Sequence, residues 1–286
     1  SWNIFNFHKL NNNYIMKNFY SNIYSFNLRI LKKTVKYLSQ GNLVAIPTET
    51  VYGLAGNAYS KKAVKNIFKL KKRPKKNPLI IHYHNISDAQ KDVVFNKNFF
   101  LLYKKFCPGP LTFILKKSKN SKITPFANSS LKTVAIRFPK NRIIRSVLKS
   151  IKFPLAMPSA NLSSGLSPVN ALDVFEEFKK KINIIIDGGN ANIGIESTVV
   201  DLTGKPKILR PGIITKSKLN RFFKIDLSNN KSNIKSPGML KKHYSPGIPV
   251  ILNKKPKYSD HAYIVFGKKF ENYKNYFNLS KKADLK

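Results

Sequence analysis

Leu28, Leu31, Val35 and Leu38 recur every three to four residues, the spacing that lays apolar side chains along one stripe of a helix. Gly41 stands just past the end of that stripe, where a helix is commonly closed. A short apolar run, Leu43 to Ile46, follows and is stopped by Pro47. The alternation then repeats. Helical spacing over about 60–71, 98–106, 141–150 and 170–182 is interleaved with apolar runs at Leu79-Ile80-Ile81, Leu111 to Leu115, Val134 to Phe138, Leu155-Ala156-Met157, Ile184 to Ile186 and Val199 to Leu202. Short apolar strands interleaved with amphipathic helices predict an α/β layered domain, because each helical stripe must be buried against a sheet. Beyond residue 213 the pattern fails. The stretch to residue 247 is polar, lysine-rich and contains Pro237-Gly238, which reads as a linker. Pro249 to Leu252 and Ala262 to Phe266 then resemble the first strands of another α/β unit, too short for a core of its own. At the other end, residues 1–26 are rich in Asn and aromatics and follow neither period; Met16 is the expected native start. The expected division is an N-terminal extension 1–26, a main domain 27–213, a linker 214–247 and a partial C-terminal unit 248–286. No internal repeat is present.

Composition narrows the classes. The 286 residues are 42% hydrophobic and 12% aromatic, which excludes a disordered chain. Lys and Arg number 53 against 13 Asp and Glu, a formal net charge of +40. The acids are uneven: none lies between Glu49 and Asp88, and none between Asp92 and Asp173, a gap holding 14 Lys and Arg. A positive field of this kind attracts phosphates or RNA. Equally, a compositional bias toward Lys, Asn and Ile fills solvated positions with the same residues, as Asn11-Asn12-Asn13 illustrates. The lysines are scattered in pairs along the chain, so charge alone selects no ligand. The single Cys107 excludes disulfide frameworks and cysteine zinc sites, the five histidines form no HExxH, and a reducing, cytoplasmic compartment is expected. No apolar run approaches the ~20 residues of a membrane-crossing helix.

Four clusters have compositions that packing does not require. Pro47-Thr48-Glu49-Thr50-Val51-Tyr52-Gly53-Leu54 is a strand end running into a turn, the place where open α/β sheets meet ligands, although Thr-Glu-Thr also suits a helix cap. Lys71-Lys72-Arg73-Pro74-Lys75-Lys76-Asn77-Pro78 places five cations before the apolar strand that ends in His82; they suit triphosphate recognition or a solvated loop, and the two prolines stiffen the segment. Pro158-Ser159-Ala160-Asn161-Leu162-Ser163-Ser164-Gly165-Leu166-Ser167-Pro168 offers hydroxyl donors to phosphate oxygens, or is a Ser-rich turn. The fourth comprises Asp187-Gly188-Gly189, then Gly194-Ile195-Glu196-Ser197-Thr198, then Ile208-Leu209-Arg210-Pro211-Gly212; these are close-approach glycines beside an arginine, or hairpin turns. Neither GxxxxGK[ST] nor GxGxxG occurs.

Taken in order, PTETVYGL, the Lys71-x-Arg73-Pro74 and Asn77-Pro78-Leu79-Ile80-Ile81-His82 pieces, CPGPLTFIL, TVAIRFP, PSAN, DGG with ESTVVDL, and ILRPG resemble the YrdC-like family of threonylcarbamoyl-AMP synthases over about residues 27–213. The block Ser236-Pro237-Gly238-Met239 to His243-Tyr244-Ser245-Pro246 resembles the linker of the family's longer, two-domain form, whose C-terminal module this chain is expected to contain only in part. The resemblance implies a twisted open mixed sheet with flanking helices, followed by a linker and a partial Rossmann-like unit. It implies that L-threonine, bicarbonate and ATP give threonylcarbamoyl-AMP and pyrophosphate, the product feeding N6-threonylcarbamoyl modification of adenosine 37 in tRNAs that read ANN codons. By motif position, Thr50, His82, Arg137 and Ser197 or Thr198 would hold threonine. Arg73, Asn77, Thr133, Ser159, Ser167 and Arg210 would hold ATP, with Asn161 orienting its loop and Tyr244 closing over the nucleotide as a lid. Lys71 and Arg73 would serve the reacting groups. Mg²⁺ is expected through the ATP phosphates, with no protein ligand of its own. Expected partners are the downstream tRNA threonylcarbamoyl transferase machinery and, weakly, tRNA or another RNA, with no membrane. Two departures stand out: Ala55 where the family commonly has Gly, and Met157 where it has a smaller residue, expected to narrow the pocket wall. The competing class is a basic RNA-binding YrdC-like module without synthase activity.

Overall fold

The structure, a computed structural model, describes residues 21–227, 251, 262–267 and 276–282. The chain divides into two units, 1–246 and 247–286. In the first, the strands are β1 (Ile23–Ser25), β2 (Val44–Ile46), β3 (Gly53–Asn57), β4 (Ile80–His82), β5 (Val93–Val94), β6 (Leu111–Lys117), β7 (Thr133–Arg137), β8 (Leu155–Ala156), β9 (Ile185–Asp187), β10 (Thr198–Asp201), β11 (Lys207–Arg210) and β12 (Asp226–Leu227). The helices are α1 (Leu28–Ser39), α2 (Lys61–Leu70), α3 (Ile86–Ala89), α4 (Lys97–Phe106), α5 (Arg142–Ser150), α6 (Ala171–Phe178) and α7 (Lys216–Asn220).

All 12 strands belong to one mixed sheet in the order β1-β9-β2-β3-β8-β4-β7-β6-β10-β11-β12, with β5 beside β6. The pairs β1/β9, β2/β9, β4/β7, β6/β10 and β11/β12 are parallel; β2/β3, β3/β8, β4/β8, β6/β7 and β10/β11 are antiparallel. The expected mixed α/β sheet is therefore present.

Side chains alternate across it as the period of two demands. Ala45, Leu54, Ile81, Phe113, Leu115, Val134, Ile136, Ala156, Ile185, Val200 and Ile208 face one side and pack with α2, α4, α6 and α7. The next residues along the same strands face the other side. There Val44, Ile46, Ala55, Leu155 and Met157 meet α1 and α5. Ile80, Ile114, Ala135, Val199 and Leu209 form a smaller apolar patch of their own. Five helices begin at an Asn whose side chain accepts a backbone N–H of the first turn, at Asn27, Asn85, Asn96, Asn141 and Asn170. Part of the asparagine excess thus closes helix ends.

Two stretches read as irregular contain sheet. Ile23–Ser25, inside the expected extension, forms the edge strand β1, tied down by Asn22, whose Nδ2 donates to the Ile182 carbonyl at 2.7 Å. The lysine-rich segment after residue 213 supplies α7 and β12, and buries Leu219 and Ile225 completely. Their lysines face water and hide the apolar positions from a periodicity count. In the second unit, β13 (Tyr263–Val265) and β14 (Tyr276–Asn278) form a parallel pair.

Candidate active site

The second face of the sheet carries a cleft open to solvent. Several loops and strand ends feed it. Between β2 and β3 the Thr48 hydroxyl accepts the backbone N–H groups of Thr50 and Val51 at 3.1 and 3.2 Å and donates to the Val51 carbonyl at 2.7 Å, a tight turn that presents the Thr50 hydroxyl 2.8 Å from its own. Adjacent strands β4 and β7 place His82 and Arg137 in register, side by side. After α2, Lys71, Arg73 and Asn77 turn inward. After β8, the Ser-rich loop closes back on them: the Ser163 N–H donates to the Lys71 carbonyl at 2.9 Å, and Asn161 Nδ2 donates to the carbonyls of Leu162 and Gly165 at 2.8 and 3.0 Å. Asn161 thereby fixes the loop's shape.

Two of the arginines are in buried ion pairs. Arg137 donates from Nη2 to Glu49 Oε1 at 2.7 Å, from Nη1 to the Thr50 hydroxyl at 2.9 Å and from Nε to the Gly109 carbonyl at 3.3 Å. The second Glu49 oxygen accepts the N–H groups of Lys140 and Asn141 at 3.0 and 3.1 Å. Burial works to raise the Glu49 pKa, but the Arg137 charge and these hydrogen bonds leave it below its ordinary value. Arg210 repeats the arrangement, donating to Glu196, to the Ser197 carbonyl at 3.1 Å and to the Ser197 hydroxyl at 3.1 Å. Arg73 is held by main chain alone, through the carbonyls of Asn77 and Pro78 at 3.0 and 2.9 Å. Lys71 donates to the carbonyls of Ser159, at 2.6 Å, and Asn161. Burial, and then the Arg73 charge, push Lys71 down to about 7 and leave it ready to gain a proton when an anion arrives. Burial next to Arg137 pushes His82 down to about 3, so its ring is neutral. The His82 Nδ1 and Asn77 Oδ1 atoms are buried with no partner in the protein. Three arginines, with Lys71 poised to charge, against two carboxylates leave the cleft positive and suited to an anionic ligand.

The cleft brings together Thr50, Lys71, Arg73, Asn77, His82, Arg137, Ser159, Asn161, Ser167, Ser197 and Arg210. Two expected residues do not line it. Thr133 opens β7 away from the cleft, and its carbonyl accepts from Asn128 at 3.1 Å. Thr198 turns its hydroxyl to Ile214, donating to the carbonyl at 2.9 Å and accepting the N–H at 3.1 Å, so of the Ser197-Thr198 pair it is Ser197 that faces the cleft. Tyr244 lies outside the described residues. The sequence reading gave no role to Glu49 and Glu196, although acids are so scarce in this chain that two inside glycine- and threonine-rich motifs were a usable signal. Met157 lines the cleft, as its departure from the family pattern suggested. Among the described residues no three His, Cys, Asp or Glu side chains group as metal ligands, and Glu49 and Glu196 are each engaged by an arginine. Among the described residues no helix is long and apolar enough to cross a membrane.

Residues 36–212 match the Sua5/YciO/YrdC family, described as "Telomere recombination", and residues 214–284 match the threonylcarbamoyl-AMP synthase C-terminal domain. The chain is 40% identical over 232 residues to the threonylcarbamoyl-AMP synthase of Pyrococcus abyssi, covering 77% of this chain and 67% of that protein. It is 40% identical over 223 residues to that of Bacillus subtilis, covering 75% and 64%. The chain thus spans about two thirds of the length of these relatives. A crystal structure of P. abyssi Sua5 complexed with L-threonine is similar with a TM-score of 0.75 and 35% identity, over 86% of this chain and 70% of that one.

Proposed function

This chain belongs to the Sua5/YciO/YrdC family, and from that premise we propose that it makes threonylcarbamoyl-AMP and pyrophosphate from L-threonine, bicarbonate and ATP in the cytoplasm, supplying tRNA threonylcarbamoylation. The observation that carries the proposal is the pairing, in one positive cleft, of an amino-acid corner with a phosphate corner. At the first, Thr50, His82, Arg137 and Ser197 offer a neutral acceptor, hydroxyls and the unused N–H groups of a guanidinium. That set matches the ammonium, hydroxyl and carboxylate of threonine, and the P. abyssi relative is a threonine complex. At the second, Lys71, Arg73, Ser159, Ser163 and Arg210 offer cations and hydroxyls to a triphosphate.

The chemistry needs no protein nucleophile. The threonine ammonium first releases a proton to solvent; the free amine then attacks the bicarbonate carbon and water leaves, giving a carbamate. A carbamate oxygen then attacks the α-phosphorus, its bond to the bridging oxygen breaks, and pyrophosphate departs. Burial pushes the thiol of Cys107, the single cysteine, up to about 12, so it is no thiolate near neutral pH. Holding the carboxylate at Arg137 and the phosphates at Lys71 and Arg73 places the reacting atoms, and the fixed cations stabilise charge developing on pyrophosphate. Mg²⁺ is proposed to arrive with the triphosphate oxygens. Pyrophosphate release by the full chain should require threonine, bicarbonate and ATP together, and Arg137→Ala should lower kcat/KM for threonine by about 100-fold or more. Release without threonine, or a mutant with undiminished turnover, would refute the assignment.

A further inference from the structure

Met157 is fixed at two points of backbone: its N–H donates to the Ile80 carbonyl at 3.0 Å, and the next carbonyl, of Pro158, accepts from Leu54 at 2.9 Å. Its side chain is stretched over the face of Gly53. A Cβ built at residue 53 would lie 2.5 Å from the Met157 Cγ, 2.7 Å from its Sδ and 3.1 Å from its Cε, so three successive atoms of the thioether chain occupy the space that any larger residue at 53 would need. Both residues line the cleft, and Met157 is otherwise packed in the apolar cluster that contains Ile46, Ala55 and Leu155. The contact lies beside the amino-acid corner. Thr50 is in the same turn as Gly53, and His82 follows Ile80 by two residues on the same face of β4.

We infer that Met157, seated in the hollow left by Gly53, is the specificity-determining wall for the amino-acid side chain, limiting that side chain to about the size of threonine's. The inference rests on the synthase reading above. Gly53 is what lets the thioether lie back from the cleft, and Met157 fills what would otherwise be room for a longer side chain. Its unbranched, polarisable chain makes a close apolar wall for a single methyl group.

The test measures kcat/KM, by pyrophosphate release from the full chain, for L-threonine and for L-β-hydroxynorvaline, one methylene longer. Met157→Ala should raise the ratio of the longer substrate to threonine by about tenfold or more, the usual worth of a methylene in a fitted pocket. Met157→Val, a milder change kept in case the alanine variant does not fold, should shift the ratio in the same direction by less. Gly53→Ala should drive the thioether into the cleft and raise KM for threonine about tenfold while KM for ATP stays within about twofold, and adding Met157→Ala to it should restore threonine binding. A ratio unchanged in both Met157 variants, or a Gly53→Ala defect that falls equally on ATP and is not relieved by the second change, overturns the inference and leaves the synthase reading standing. A wild-type chain that releases no pyrophosphate with threonine overturns both.

Discussion

Glu49 connects the cleft to the stability of the chain. One of its oxygens holds Arg137 and the other caps the turn into α5, so its carboxylate sets the position of a cleft-lining guanidinium while satisfying two backbone N–H groups. Replacing it by Gln leaves Arg137 buried without its counter-charge, a loss of about 3–5 kcal/mol for such pairs, so urea unfolding of Glu49→Gln should show a drop of that order. The sign with pH follows. A carboxylate held below its ordinary value of 4.5 contributes stability that is present above that value and lost as pH falls through the folded value, so the parent's advantage over Glu49→Gln should be full above pH 4.5 and shrink in acid. With the pair present, the parent loses stability more steeply below pH 4.5 than the variant does. Lys71 behaves differently. With its pKa pushed down from 10.5 to about 7, the unfolded chain binds a proton in that interval that the folded chain does not, so apo stability should rise from pH 7 toward pH 10. Lys71→Met should flatten that slope. Triphosphate binding should return the proton: calorimetry near pH 8 in buffers of different ionisation heat should register uptake of roughly one proton, absent in Lys71→Met. No uptake in the parent would contradict the placement of Lys71 at the phosphates.

At the scale of elements, what the sequence revealed depended on whether a segment's apolar residues outnumbered its exceptions. The strands β2, β4, β6, β7, β9 and β10 were legible because they are runs of Val, Ile, Leu and Phe buried on both faces. The strand β3 was not, because Gly53 and Gly56 weaken its pattern, and both are glycine for packing reasons: one lies under Met157, the other under Leu43 and Ile67. In β1 and β12 no residue is fully buried, and in α7 Leu219 alone is, so polar neighbours outweigh the apolar positions. The site's glycines and hydroxyls were conspicuous in sequence, whereas the arginine–carboxylate pairing joins Glu49 to Arg137 and Glu196 to Arg210, contacts that local spacing does not encode. Gly212 provides a test of how firmly the last of these elements is set. An alanine Cβ there would meet the Thr198 nitrogen at 2.6 Å and the Glu196 carbonyl at 2.8 Å, main-chain atoms that cannot rotate away. Gly212→Ala should therefore shift the Glu196-Ser197 segment, cost about 1–3 kcal/mol in thermal or chemical unfolding, and reduce turnover, whereas Gly204→Ala, which meets nothing within 4 Å, should be neutral.

For the molecule as a whole, four of the cations behind the net charge of +40 gather in the cleft, while most other lysines of the described residues are exposed or half-exposed. Lys71, Arg137 and Arg210 are buried in the cleft and Arg73 half-buried there, each held by carbonyls or carboxylates. The surrounding field should still draw ATP in, so KM for ATP should rise with added salt while kcat changes little. The competing assignment, an RNA-binding module without synthase activity, makes no use of a neutral His82 facing Arg137 or of a cleft built on two arginine–carboxylate pairs. The two assignments separate most directly on the product itself. The full chain incubated with ATP, L-threonine and ¹³C-bicarbonate should form a species containing AMP, threonine and one ¹³C atom, seen by mass spectrometry after a rapid quench, and Arg137→Ala should form almost none. Turnover of ATP without a ¹³C-labelled threonyl adduct, or the same yield of adduct from Arg137→Ala, would contradict the account.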